Sequence, residues 1–331
     1  MRSLLFSLLL GGVCVVATAQ VTDTKQTSAD KSASVTRIAV DTMDSRFVPL
    51  VIETKKTKVD PATTRTDSVV KAPRNDGTLF NLQQRSAVTQ QISPDVSQTT
   101  TEVSEQDRQG AMRATRRIDE TSTRTGNRES VKADEFKRDA SGRLVLDREI
   151  AAVTTKNADG SSSGSRTEKA RDVSGNLVVE KEIEETVLPK SSTETQITRR
   201  ISSVGHLDGQ LQLNGRETTT VRTEGNTSRT VVVSEALGDG GWRTVGQTTT
   251  TEKRGADGTV QRETIEQGRS LYEKLQSFPT EPLVPQRKIV EREVRQPDGT
   301  SVLQRDVYRR DVNGEWKPVT FSLENAAAPA K

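Results

Sequence analysis

The sequence predicts an all-β protein: a long, elongated antiparallel meander of repeated β-hairpins with one short helical and proline-rich insertion. An internal repeat is the first observation behind this prediction. Residues 138–150 and 171–183 are identical at eight of thirteen positions, at an offset of 33 residues. The second observation is a series of turn signals at steady intervals, and the third is a composition dominated by 43 threonines and 35 valines, which favour strands.

The turn signals divide each 33-residue repeat into two arms. From Gly142 to Gly258 the signals follow one another every 15 to 18 residues. Glycine supplies the positive φ that tight turns between twisted strands require. One arm, less its turn, leaves about 12 residues, or roughly 40 Å of extended strand. The repeat is therefore interpreted as one hairpin.

Few apolar side chains are available for a core. Behind Ala19, Leu, Ile, Val and Phe together make up 63 of 312 residues, which is close to the lower limit for a compact domain. We therefore expect a thinly packed sheet that is wetted on both faces. Its stability would come from cross-strand pairs, Thr–Thr and Glu–Arg/Lys, at about 0.2–1 kcal/mol each.

The N-terminus has the three parts of a secretory signal peptide. Arg2 supplies a positive charge, residues 4–16 are almost entirely apolar, and Ala17-Thr18-Ala19 matches the small-x-small cleavage pattern. We predict cleavage between Ala19 and Gln20, so that residues 1–19 are removed. The apolar run is shorter than the roughly 20 residues of a membrane-spanning helix. The expected location is extracytoplasmic, either secreted or periplasmic.

Composition and the spacing of the turn signals divide the remaining chain into segments. Leu271, Leu275 and Phe278 have the i, i+4, i+7 spacing of a short amphipathic helix, and three prolines follow it. The predicted order is a disordered lead-in (20–40), repeated hairpins (41–265), a short helix with a Pro-rich insertion (266–286), final hairpins (287–324) and a disordered tail (325–331).

Chemical motifs are scarce. No cysteine remains once the signal peptide is removed, and His206 is the only histidine, so no Cys/His metal site or Cys–His nucleophile pair can be built. Residues 160–164 match Gly-x-Ser-x-Gly, but the flanking residues lack the strand and helix that this motif requires. We expect neither an enzyme nor a cofactor. The net charge of +3 is nearly balanced, which argues against a nucleic-acid partner.

Five residues are candidate partner contacts. Trp242 and Trp316 each follow a turn and are candidate platforms for a sugar ring. The other three are Leu271, Leu275 and Phe278, which form the apolar face of the predicted helix. The alternative for all five is ordinary packing against the sheet.

We expect an exported, non-enzymatic structural or surface-interaction protein. The alternative is an extracytoplasmic module that binds a glycan or a cell-wall polymer, and the third hypothesis is an outer-membrane-associated β protein. Two candidate partners follow: a second copy of the chain, paired through edge strands, and a polysaccharide. Unpaired edge strands are templates for such pairing unless charge blunts them.

Residues 139–144, Asp-Ala-Ser-Gly-Arg-Leu, resemble the turn of Rhs/YD-repeat proteins, which are large secreted β shells. Arg138 and Arg171 stand where those repeats carry tyrosine. The likeness covers two short segments. The fold prediction therefore depends on the repeat itself and not on membership of a family.

Overall fold

The computed structural model describes residues 19–26, 33–41, 47–74, 78–107, 109–204, 210–238, 241–257, 259–268, 282–295, 301–311 and 313–319. These residues form one sheet of 19 strands. The strands are β1 (Ala19–Gln26), β2 (Ala33–Asp41), β3 (Phe47–Lys58), β4 (Thr63–Pro73), β5 (Leu79–Ser93), β6 (Val96–Gln106), β7 (Met112–Thr125), β8 (Arg128–Arg138), β9 (Leu144–Lys156), β10 (Ser162–Arg171), β11 (Leu177–Pro189), β12 (Glu194–Val204), β13 (Leu211–Glu224), β14 (Thr227–Gly238), β15 (Gly241–Arg254), β16 (Val260–Gly268), β17 (Val284–Arg295), β18 (Ser301–Arg310) and β19 (Trp316–Pro318).

The predicted antiparallel meander is confirmed. Each strand pairs with the strand that follows it in the chain, from β1 with β2 to β18 with β19, and every ladder is antiparallel. No helix occurs in the described part of the chain. The long strands also agree with the predicted arm length, since β7 and β13 each have 14 residues.

Glycines in the left-handed region form the turns. Gly142 and Gly175, which occupy the same position in the two clearest repeats, have φ angles of 84° and 87°. In each turn the glycine N–H donates to the carbonyl oxygen of an aspartate three residues earlier, Asp139 or Asp172. A side chain at either glycine would be strained, because L-residues rarely adopt this conformation.

A β-bulge recurs once in each hairpin, near the start of every odd-numbered strand from β5 to β17. At each bulge the ladder with the preceding strand passes over one residue. The extra residues are Leu82, Thr115, Asp147, Glu180, Asn214, Val245 and Gln286. Successive bulges are 33, 32, 33, 34, 31 and 41 residues apart, so the bulge follows the sequence repeat and the longest gap encloses the insertion.

The sheet curls until its margins approach each other. Cα atoms of β1 lie within 8 Å of Cα atoms of β18, although no hydrogen-bonded ladder joins the two strands among the described residues. Bulges bend the strand that carries them and increase its twist, and sheets of more than about ten strands tend to curl. We expected an elongated sheet, but the sheet curls so that its first strand approaches β18. The spacing of the turns does not predict this curvature.

The two faces of the sheet differ in burial. Register places a set of buried residues on one face, which we call the inner face: Thr101, Val103, Val131, Ala133, Ile289 and Val307. On the opposite, outer face Val51 and Val290 are buried, but other apolar side chains such as Val88 and Leu188 are exposed. Side chains on the concave side of a curved sheet crowd together, so the inner face is the concave one. The buried set is small, as the composition predicted.

Two segments differ from, or lie beyond, the organisation inferred from the sequence. Strands β1 and β2 occupy most of the range 20–40, where we expected a disordered lead-in, because β2 pairs with β3 and β1 pairs with β2. The predicted helix with Leu271, Leu275 and Phe278 lies outside the described residues, as does the predicted tail. Strand β16 ends at Gly268 and β17 begins at Val284.

Candidate functional site: the Trp242 platform

Trp242 lies on the outer face, at the start of β15. Its register partner on β14 is Leu237. The guanidinium carbon of Arg216, which is on β13, lies 4.9 Å from the centroid of the indole ring. The indole therefore extends across β14 toward β13. A guanidinium at this distance from a tryptophan face is attracted by the negative face of the ring.

Arg216 is itself held in place by Glu235. The two residues are opposite each other in the β13–β14 ladder, and the Nε of Arg216 donates to Oε2 of Glu235 at 2.7 Å. This hydrogen bond lowers the pKa of Glu235 and raises the pKa of Arg216. Both groups are therefore charged at neutral pH. The carboxylate of Glu235 holds the guanidinium of Arg216 in place at the indole ring.

Two bulges flank this pair, with Asn214 as the extra residue of β13 and Val245 as the extra residue of β15. Bulges re-aim side chains and are frequent beside functional sites. Leu237 is 45% exposed and Leu213 is also exposed. We call Trp242, Arg216, Glu235 and Leu237 the Trp242 platform. It combines an oriented aromatic ring with an apolar side chain and a charged hydrogen-bonding pair.

The other candidate contacts are not brought to this platform. Trp316 lies in β19, opposite Arg310, and three strands separate β19 from β15. Leu271, Leu275 and Phe278 lie outside the described residues. The predicted cleavage site lies in β1, where Ala19 pairs with Val40 and Gln20 with Ala39.

The arginine before each repeated turn has a structural role that sequence analysis did not find. The Nε of Arg171 donates to the carbonyl oxygen of Leu146 at 2.7 Å, and its Nη1 donates to the carbonyl oxygen of Gly175 at 2.8 Å. Gly175 belongs to the turn that Arg171 begins. Leu146 directly precedes the bulge residue Asp147 of the preceding hairpin. One side chain thus joins a turn to the bulge of its neighbour, and we call this arrangement the arginine staple.

The staple recurs one repeat earlier. The Nε of Arg138 donates to the carbonyl oxygen of Ala114 at 2.7 Å, and another of its nitrogens donates to the carbonyl of Gly142. Ala114 precedes the bulge residue Thr115. In both staples the diverging N–H groups of one guanidinium reach two carbonyl oxygens, which a side chain with a single donor could not do.

The Gly-x-Ser-x-Gly segment begins in a turn, and its central residue, Ser162, is the first residue of β10 and pairs with strands on both sides. Ser161 is buried; its hydroxyl donates to Oδ1 of Asp159 at 2.6 Å and accepts from Nδ2 of Asn157 at 2.8 Å. The hydroxyl and the backbone N–H of Ser161 both donate to Asp159 and lower its pKa. The Ser161 hydroxyl thus stabilises the turn, and Ser162 lies in the paired strand that follows it. No cluster of three or more metal-ligating side chains is found within the described ranges.

Comparison of the chain with protein-family models, with curated proteins and with solved structures found no match. In the described portion of the chain, no helix has the length and apolar character needed to cross a membrane.

Proposed function

We propose that the protein is an exported, non-enzymatic structural or surface-interaction protein, in which the repeated sheet is a scaffold. One observation carries this proposal: a bulge recurs with the repeat in seven strands, and the arginine staple joins turn to bulge in two successive repeats. Successive repeats thus extend a continuous surface, as in other repeat proteins whose units contact only their neighbours. Most hydrogen bonds and ion pairs of the described residues link one strand to the next.

Charge pairs across strands support a scaffold without a deep core. On the inner face, Arg199 of β12 lies between Glu185 of β11 and Glu217 of β13. Its Nε is 2.6 Å from Oε2 of Glu185, and its Nη1 is 2.8 Å from Oε1 of Glu217. Three consecutive strands are joined by one arginine. Such a network stabilises a water-exposed sheet in the way that cross-strand pairs do generally.

The position of the predicted cleavage site favours an order of events in export. The peptide bond between Ala19 and Gln20 lies within β1, in the ladder with β2. A peptidase needs an accessible, unpaired segment, so we propose that the signal peptide is removed before β1 joins the sheet. Folding of the margin would then follow transport.

Self-association through edge strands is less favoured than the sequence indicated. Because β1 lies close to β18, each of these strands hinders the approach of another chain to the other's free edge. We therefore propose that the folded chain is a discrete particle.

Electron microscopy of the mature chain, combined with fractionation of the producing cells, tests the proposal. The matched control for the fractionation is the full-length precursor with Leu9→Arg, which interrupts the apolar core of the predicted signal. The proposal expects discrete particles outside the cytoplasm for the natural sequence and intracellular retention for the control. Equal distribution of both chains would contradict export, and long fibres would contradict the discrete particle.

A second candidate function, glycan or cell-wall binding, is favoured by the Trp242 platform. Aromatic rings flanked by hydrogen-bonding groups are suited to amphipathic ligands such as sugars. Trp242→Ala should abolish retention on an insoluble polysaccharide, whereas Trp316→Ala, at a distant strand, should leave it unchanged. Equal retention of all three proteins would exclude this role for Trp242.

A further inference from the structure

Arg85 occupies an unusual environment on the inner face. It lies on β5, and its register partners are Ser68 on β4 and Val103 on β6. Val103 is only 5% exposed, and Arg85 itself is half-buried. An arginine side chain at such a place loses part of its hydration, which is costly unless another group replaces the lost water.

Arg85 has no such replacement within the described residues. Its side chain makes no hydrogen bond or ion pair there, in contrast to Arg199 on the same face, whose carboxylate partners raise its pKa. Burial lowers the pKa of Arg85, and the positive charge of Arg116 lowers it further. Burial and Arg116 therefore oppose the charge that this side chain must carry, and the charge of Glu120 favours it.

Arg116 lies on the same face, two strands away. Val103 is opposite Arg85 in one ladder and opposite Arg116 in the next, so the two arginines flank this buried valine. Arg116 has long ion-pair contacts, at 3.5 Å to Oε1 of Glu135 and 3.8 Å to Oε1 of Glu105. Two guanidinium groups of partly buried side chains thus share one region of the concave face.

We propose that Arg85 and Arg116 form a binding site for a single anionic group, a phosphate or a carboxylate. A guanidinium presents paired N–H groups whose planar geometry matches the oxygens of both anions. An anion between the two side chains would hydrogen-bond to Arg85 and remove the repulsion between the arginines. The site lies on the inner face, so it is distinct from the Trp242 platform and independent of the proposed function.

Glu120 is the competing partner. It is a half-buried carboxylate on β7, on the same face, and its charge attracts Arg85 without a contact between them. Burial raises the pKa of Glu120, and the charge of Arg85 opposes that increase. If Glu120 moved to pair with Arg85 directly, the two arginines would need no external anion. The test must separate these two arrangements.

Thermal unfolding and isothermal titration of the mature chain provide the test. The probes are inorganic phosphate and acetate, each compared with chloride at equal ionic strength, and the variants are Arg85→Gln, Glu120→Gln and Arg200→Gln. Arg200 is exposed on the outer face and is the matched control. The natural chain and Arg200→Gln should bind one of the two probes, and the probe that binds identifies the anion class.

Arg85→Gln should weaken that binding by at least about tenfold, which corresponds to 1.4 kcal/mol. Without the probe, this variant should unfold at the same temperature as the natural chain or higher, because it removes an unpaired, partly buried charge. Equal binding by the natural chain and Arg85→Gln, or no binding by either, would overturn the proposal. Comparable destabilisation by Arg85→Gln and Glu120→Gln without any probe would also overturn it, since direct pairing of the two side chains would then be established.

Discussion

Replacement of Arg171 by alanine tests whether the arginine staple holds neighbouring hairpins together. The substitution removes two hydrogen bonds, one to Leu146 at 2.7 Å and one to Gly175 at 2.8 Å. A hydrogen bond contributes about 0.5–1.5 kcal/mol net, and more when one partner is charged. Arg171 is exposed, so water recovers part of this energy. We expect a loss of about 1–2 kcal/mol in the free energy of unfolding.

Urea unfolding of the mature chain, followed by circular dichroism, measures this loss. Hydrogen exchange then locates it, because the amide of Gly175 donates to the carbonyl oxygen of Asp172 at 3.0 Å in the turn that the staple closes. That amide should exchange faster in Arg171→Ala. The matched control is Arg200→Ala, which removes an exposed arginine from the middle of a strand.

The same midpoint for Arg171→Ala and Arg200→Ala would refute the staple as a stabilising element. Unchanged exchange at Gly175 would refute its local action even if the midpoint fell. Arg171→Lys provides a further distinction, because a single ammonium group lacks the fixed fork that reaches two carbonyl oxygens. We expect the lysine variant to recover less than half of the loss.

Three other perturbations test the sheet. Arg199→Ala should cost about 2 kcal/mol more than Arg200→Ala in urea unfolding, because it leaves two half-buried glutamates without their shared cation; equal costs would contradict the network. Gly175→Ala, at φ 87°, should destabilise by about 1–2 kcal/mol. Gly246→Ala should be nearly neutral, since the new Cβ would make only an ordinary contact at 3.6 Å; similar midpoints for the two glycine variants would argue against turn strain. Glu235 has a lowered pKa, so its ionised form adds stability above its unfolded pKa, and this contribution is lost as pH falls through the folded value. Glu235→Gln should therefore be less stable than the natural chain at neutral pH, and the difference should shrink in acid below about pH 4. A constant difference would exclude this linkage.

The repeat, the turns and the strand lengths could be predicted from the sequence because each depends on neighbouring residues. Gly142 and Gly175 indicated the reversals, and both have the positive φ that the prediction required. The 33-residue offset correctly indicated a two-strand unit. These features need no knowledge of which strand lies beside which.

The curvature could not be predicted from the sequence. The bulge residues that produce it occupy equivalent positions in successive hairpins, but they are of different residue types. Thr115, Asp147, Glu180, Asn214 and Val245 are extra residues in successive bulges. No common side chain marks them. A bulge is visible only in the register of the ladder, where two residues of one strand lie opposite one residue of its partner. That register depends on the partner strand as well as on the strand that carries the bulge.

The residues that contact Trp242 could not be predicted from the sequence for a related reason. Trp242 was named from the sequence as an aromatic residue after a turn. Its cation, Arg216, is on β13, with β14 between the two residues. Likewise, Arg171 and Leu146 are 25 residues apart. The first contact passes over an intervening strand, and the second joins consecutive strands beside a bulge. Both depend on register and bulges together, and neither can be determined from residue spacing.

The staples imply that stability is unevenly distributed along the sheet. A hairpin in the middle is held by ladders on both sides, and those with a staple are also fixed to the preceding bulge. At the margins the ladders are fewer or shorter: in the described residues β1 pairs with β2 alone, and β18 pairs along its length with β17 but at only three positions with β19. Nearest-neighbour stabilisation of this kind makes opening start at the ends and spread inward. Backbone amides of β1 and β18 should therefore exchange faster than those of β9 to β12. Uniform protection across the sheet would mean that the two margins are joined as firmly as any consecutive pair of strands.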